Sequence, residues 1–198
     1  PKPSEFESRR NITMKMFKRF AAALLAGVMV LAMLTACGGG AGSGAAKSDT
    51  EKLEDMYQKV FNAALGTELS NDFTLKTAAK TYLTENLKED GTLPAGKNMA
   101  IVTEPDADGY VVLVSIMTDK GFTDEEVKAM IENPSAVDKM VAEIKKADGY
   151  ESMAAVMKTV VKGMGTGAVK KGNVTNVAAA LKGTKAIADA RIEAGANN

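Results

Sequence analysis

Few residues in this chain could carry chemistry: it has no histidine and one cysteine, Cys37. Without imidazole, the commonest general base and transition-metal ligand are missing, which leaves carboxylates, lysines, hydroxyls and one thiol. Glu104, Asp106, Asp108 and Gly109 fall at positions one, three, five and six of a helix–loop–helix calcium site. Position twelve is Ser115 where a bidentate Glu should stand, and a strand-like run follows instead of a helix. An acidic turn built on Pro105 and Asp108-Gly109 is therefore predicted. Asp124, Glu125 and Glu126 could form an acid–base pair, but they lie in a helix's first turn. Acids there stabilise the free N–H groups and the helix dipole. Gly163-Met164-Gly165-Thr166-Gly167 hints at a phosphate cradle, which needs a strand before it and a helix after it. Here the order is reversed, and a glycine-rich strand is predicted.

Cys37 has the most informative surroundings. Lys15, Lys18 and Arg19 precede an apolar run from Phe20 through Leu34, and the small residues Thr35 and Ala36 lead into the thiol. A basic flank, a short apolar core and small residues before a cleavage point describe a secretory signal. Residues 35–37 resemble the lipobox of bacterial lipoproteins. That resemblance implies cleavage between Ala36 and Cys37, and diacylation of Cys37 as the new N-terminus. It also implies anchoring on the extracytoplasmic face of the membrane. A lone buried thiol after an apolar helix is the plainer alternative. A membrane-spanning helix wants about 20 apolar residues, and this run is shorter and ends in glycines. Residues 1–13 read as a non-native upstream extension, with Met14 or Met16 as the start and 14–36 as the signal. Ser8-Arg9-Arg10 lacks the residues that complete a twin-arginine signal.

Removing residues 1–36 takes away six of the 25 Lys+Arg and two of the 25 Asp+Glu, leaving 19 basic and 23 acidic groups, a net of −4. A nucleic-acid surface should be basic, so no nucleic-acid partner is expected. Once Cys37 is lipidated no free thiol remains. Imidazole is absent too, so neither a metal site nor a cofactor is expected.

From Gly38 to Lys47 the composition is that of a flexible tether, so residues 37–49 are read as anchor and spacer. Residues 50–198 are read as a single globular domain. Ser48 to Glu51 is a capping box. Leu53, Met56, Tyr57, Val60, Phe61, Ala64 and Leu65 follow at helical spacing. Asp72 can cap a second helix carrying Leu75, Ala79, Tyr82 and Leu83. Residues 88–97 read as a loop. Residues 99–103 and 110–116 form β-branched and apolar runs, predicting a hairpin. Thr123 to Glu126 is another capping box, before a helix that breaks at Asn133-Pro134. Val137, Met140, Val141 and Ile144 stripe a further helix, and Tyr150, Met153, Met157 and Val161 one more, with the methionines as core filler. Residues 163–169, a Lys170-Lys171-Gly172 turn and residues 173–181 predict a closing hairpin, and 184–194 a terminal helix. The Asn173-Val174-Thr175 sequon is read only as strand.

Gly96-Lys97-Asn98-Met99-Ala100 resembles the Gly-Glu-Asn-Ile-Ala signature of the CAP superfamily, the SCP-like extracellular domains. Phe61-Asn62 is similar to the Val-Asn pair of that family's first helix, and Leu69, Asp72, Leu75 and Ala79 to its spaced Leu, Asp/Asn, Leu and Ala. Glu125-Glu126-Val127 with Asn133-Pro134, and Gly165 to Val169, resemble further segments, so the match spans about residues 53–182. The resemblance implies an α-β-α sandwich and a structural part for Gly96, Asn98 and Ala100. The Asn98 amide is expected to tie loop backbone groups, with Lys97 merely solvated. The family's cavity usually holds two histidines and two acids. Here both histidines are missing and Lys97 stands in place of the signature Glu, so the scaffold is expected without its metal chemistry.

The expected fold is α/β: a small mixed or antiparallel sheet packed with several helices. The expected function is that of a membrane-anchored binding or interaction module without catalysis, for a protein or an apolar small molecule. A cell-envelope hydrolase acting on peptidoglycan or peptide is the alternative. It would need a carboxylate pair or a Ser–Lys arrangement, and none is evident.

Overall fold

The computed structural model describes residues 47–118, 120–147, 149–186, 188, 189 and 192, so the leader, Ala36, Cys37 and most of the tether lie outside the described residues. Helix α1 (Asp49–Leu65) opens on the expected capping box. Ser48 Oγ accepts the Glu51 N–H at 3.3 Å, and the Glu51 carboxylate accepts the Ser48 N–H at 2.8 Å. It ends on Gly66, whose φ of 63° is the left-handed stop that glycine takes without strain. Helix α2 (Phe73–Asn86) is capped by Asp72 Oδ1, which accepts the Leu75 N–H at 2.9 Å. Strands β1 (Met99–Ile101) and β2 (Tyr110–Ile116) form the first hairpin. Helix α3 (Asp124–Glu132) has its own capping box through Thr123 and Glu126, and α4 (Ala136–Lys145) and α5 (Tyr150–Val160) follow. Strands β3 (Gly163–Lys171) and β4 (Val174–Thr184) close the fold. Beyond β4 the described residues 185, 186, 188, 189 and 192 are helical.

The sheet is antiparallel throughout, in the order β1-β2-β4-β3. Strand side chains alternate between faces, and in central β4 both faces are covered. Val177, Ala179 and Leu181 enter one core with α1, α3, α4 and α5. Ala178 and Ala180 enter another with Leu75, Ala79, Tyr82 and Leu83 of α2. The result is a helix–sheet–helix sandwich. Met130, Met140 and Met157 are buried as core filler. In the second hairpin β3 runs two residues further than expected and β4 starts one residue later: Lys171 pairs with Val174, so the loop is Gly172-Asn173. Gly172, at φ 59°, supplies the positive φ that a two-residue hairpin requires.

Glycines set the closeness of α2 to the sheet. Gly165 and Gly167 sit opposite Ala180 and Ala178 on the face that meets α2. A Cβ on Gly165 would come 2.6 Å from the Leu75 carbonyl carbon and 2.8 Å from the Asp72 oxygen. On Gly167 it would lie 2.9 Å from the Lys76 oxygen. Helix backbone therefore rests on strand backbone here, which no side chain would allow.

Candidate functional site

The two edges of the sheet are treated differently. At the β3 edge, the Thr166 N–H donates to Asn71 Oδ1 at 2.9 Å, and Asn71 Nδ2 returns to the Thr166 carbonyl at 3.3 Å. The Asp72 N–H donates to the Met164 carbonyl at 3.0 Å, and the Ala168 N–H to Glu54 Oε1 at 3.0 Å. Thr166 Oγ1 donates to the Glu54 carbonyl at 2.8 Å. Four main-chain groups that this edge strand would otherwise offer to another chain, the Met164 and Thr166 carbonyls and the Thr166 and Ala168 N–H groups, are thus engaged. The Glu54 side chain is fully buried, paired with Lys76 and, at 2.7 Å, with Lys80. Glu54 and Asn71 were not singled out from sequence. The available signal was an acid lodged inside the apolar stripe between Leu53 and Met56.

Among the described residues the β1 edge is open. The Ile116 N–H donates to the Asn98 carbonyl at 2.8 Å and the Val102 N–H to the Val112 carbonyl at 2.9 Å. Even-numbered positions of β1 therefore face β2. The N–H and C=O groups of Met99 and Ile101 face away from the sheet, and among the described residues nothing pairs with them. Met99 and Ile101 are half-buried against Val111, Leu113, Ala188 and Ile192, and Val102 is 38% exposed. Lys97 and Glu104, at opposite ends of the strand, are both exposed.

The expected motif residues gather at this edge, with one correction. Gly96 sits at φ 76° in the exposed turn before β1, and Ala100 is the central residue of β1. The Asn98 side chain is exposed and, among the described residues, makes no hydrogen bond. Asn98 acts through its carbonyl instead, because it is the first position that faces β2. Loop anchoring falls to Tyr82, whose hydroxyl donates to the Lys97 carbonyl at 3.1 Å.

The other candidate groups are engaged structurally. Asp106 Oδ1 accepts the Asp108 and Tyr110 N–H groups at 3.0 and 2.9 Å, and Oδ2 pairs with Lys182 at 2.7 Å. The Lys182 hydrogen bond, then the Tyr110 N–H, hold its carboxyl below the usual range, and the same contact raises Lys182. Asp124 pairs with Lys170 at 2.6 Å. Burial raises Tyr57, whose hydroxyl has no partner among the described residues. Tyr150 donates to the Ala64 carbonyl. No group of three or more acidic, Cys or His side chains among the described residues could hold a metal ion.

An apolar cavity lies between β2, the end of α5 and Ala188, lined by Val111, Leu113, Met157, Val161 and Leu181. Its volume of about 20 Å³ suits one water molecule, well short of the roughly 300 Å³ at which ligand pockets begin. No described helix is long and apolar enough to cross a membrane. No family model, curated protein or solved structure matches the chain.

Proposed function

We propose that this chain is a lipid-anchored module on the extracytoplasmic face of a bacterial membrane that binds a protein partner and catalyses nothing. The observation that carries the reading is the contrast between the two sheet edges. Glu54, Asn71 and Asp72 engage the Met164–Ala168 stretch of one of them, while among the described residues nothing pairs with the outward main-chain groups of Met99 and Ile101 on the other. An open edge is a template for another chain, and a water-sized cavity favours a protein partner over a small apolar ligand. The anchor rests on the basic flank, the apolar run and the small residues before Cys37. Helix α1 begins at Asp49, and the glycine-rich composition of residues 38–47 is that of a spacer. In this reading the CAP-like pattern describes a scaffold only.

Two measurements test it. Cys37→Ser should release the protein from the membrane fraction or leave it unprocessed, and an unchanged mature mass and membrane partition would overturn the anchor. The purified chain should leave peptidoglycan and casein intact. Cleavage of either, lost on substitution of an acidic residue, would make the protein a hydrolase instead.

A further inference from the structure

We propose that the open edge of β1 is a homotypic interface, where β1 of a second copy pairs antiparallel about a two-fold axis at Ala100. The proposal deepens the interaction-module reading and rests on it. Parity limits the possible registers. Only Met99 and Ile101 turn main-chain groups outward, so a second β1 must meet them with its own odd-numbered positions. Centred on Ala100, Met99 of each copy then faces Ile101 of the other, and both pairs exchange N–H···O=C bonds. Ala100 faces Ala100 as the non-bonded pair between them, with Cα atoms about 4.5 Å apart.

Charge selects the direction. Lys97 and Glu104 flank β1 at opposite ends, and both are exposed. Antiparallel pairing sets Lys97 of each copy alongside the Thr103–Glu104 segment of the other. A parallel arrangement would place lysine by lysine and glutamate by glutamate. The half-buried side chains of Met99 and Ile101, with Val111 and Leu113 behind them, would also continue as one apolar band across the axis. A short edge holds a partner poorly in dilute solution. A tether that confines both copies to one surface raises their effective concentration without any new contact.

Disulfide trapping in the full-length chain tests the pairing. The spacing expected between the two Ala100 Cα atoms lies inside the roughly 4.4–6.8 Å that a disulfide spans. Ala100→Cys should therefore cross-link to a dimer under mild oxidation. Wild type and Thr74→Cys, at an exposed position in the first turn of α2, should remain monomeric. Adding Ile101→Pro removes an outward N–H and none of the bonds to β2, and should yield about tenfold less dimer. Lys97→Glu should weaken cross-linking of the Ala100→Cys chain, and Lys97→Glu with Glu104→Lys should restore it; these exposed positions keep the test valid if the proline variant fails to fold. Cross-linking of Ala100→Cys no faster than Thr74→Cys would overturn the interface, as would indifference to both the proline and the charge swap. Membrane and soluble fractions are assayed separately. Soluble protein that cross-links would retire the anchor and keep the pairing, whereas anchored protein that stays monomeric would retire the pairing and keep the anchor.

Discussion

Glu54 of α1 accepts the backbone N–H of Ala168 at 3.0 Å, joining residues 114 apart in sequence at the outer edge of β3. The same carboxylate neutralises Lys76 and Lys80 on α2, so one buried side chain fastens a strand edge to two helices. Glu54→Ala would orphan the N–H and leave two lysines without their counter-charge. Breaking a buried pair costs about 3–5 kcal/mol. We expect a loss of roughly 10 °C in melting temperature for a domain of this size. Glu54→Gln keeps an acceptor for Ala168 and should lose less. Thermal unfolding followed by circular dichroism decides the matter, and equal melting points for wild type and Glu54→Ala would remove the clamp.

The glycines of β3 should differ sharply in tolerance. Gly165→Ala places a methyl group against the Leu75 and Asp72 backbone, which cannot give way without moving α2. Overpacking of this kind costs about 1–3 kcal/mol, occasionally more. At Gly163 the added methyl would meet the end of the Leu75 side chain at 3.1 Å and the Lys182 Cβ at an ordinary 3.8 Å, and no backbone. Gly163→Ala should stay within about 1 kcal/mol of wild type. Chemical denaturation of both variants checks the order, and a Gly163→Ala loss equal to that of Gly165→Ala would contradict the close approach.

The Asp106–Lys182 pair predicts a pH effect of definite sign. Lys182, then the Tyr110 N–H, depress the Asp106 carboxyl in the folded state. A group depressed on folding stabilises the protein above its unfolded pKa, near 3.9, and that help fades as pH falls through the lower folded value. The Asp106 carboxyl should therefore titrate below about 3.9 by NMR. Lys182→Met should move the midpoint back up. A midpoint unmoved by that substitution would mean that the lysine does not govern it.

At the β1 entrance, Tyr82 should matter more than Asn98. Asn98→Ala keeps the carbonyl that accepts Ile116 and removes only an exposed amide, so stability should change by less than about 0.5 kcal/mol. Tyr82→Phe withdraws the donor from the Lys97 carbonyl and should cost about 1 kcal/mol. The reverse order would restore the structural amide that the sequence suggested.

What could be read from sequence divides by range. Helix starts at Ser48, Asp72 and Thr123 were legible because a cap and its partner lie three residues apart. Strands were legible from β-branched runs, and the β3 glycines pointed to a strand. What those glycines admit was not legible, since it depends on where α2 lies. Glu54 and Asn71 were missed for the same reason: their partners on β3 lie 95 to 114 residues away. Lys170 and Lys171 look turn-like in sequence, whereas pairing carries β3 through both of them and the turn begins at Gly172. At β1 the motif was visible, but the division of labour between the amide and the carbonyl of Asn98 depends on sheet parity.

One of the two central strands of the sheet, β4, is the last strand among the described residues. Val174–Thr184 pairs with both β2 and β3 and feeds apolar side chains into both principal cores. A chain emerging N-terminus first can form its helices and the first hairpin, yet neither core closes until that strand arrives. Such late, long-range closure slows folding and leaves the nascent polypeptide unlocked, its two half-built cores exposed, until that strand has emerged.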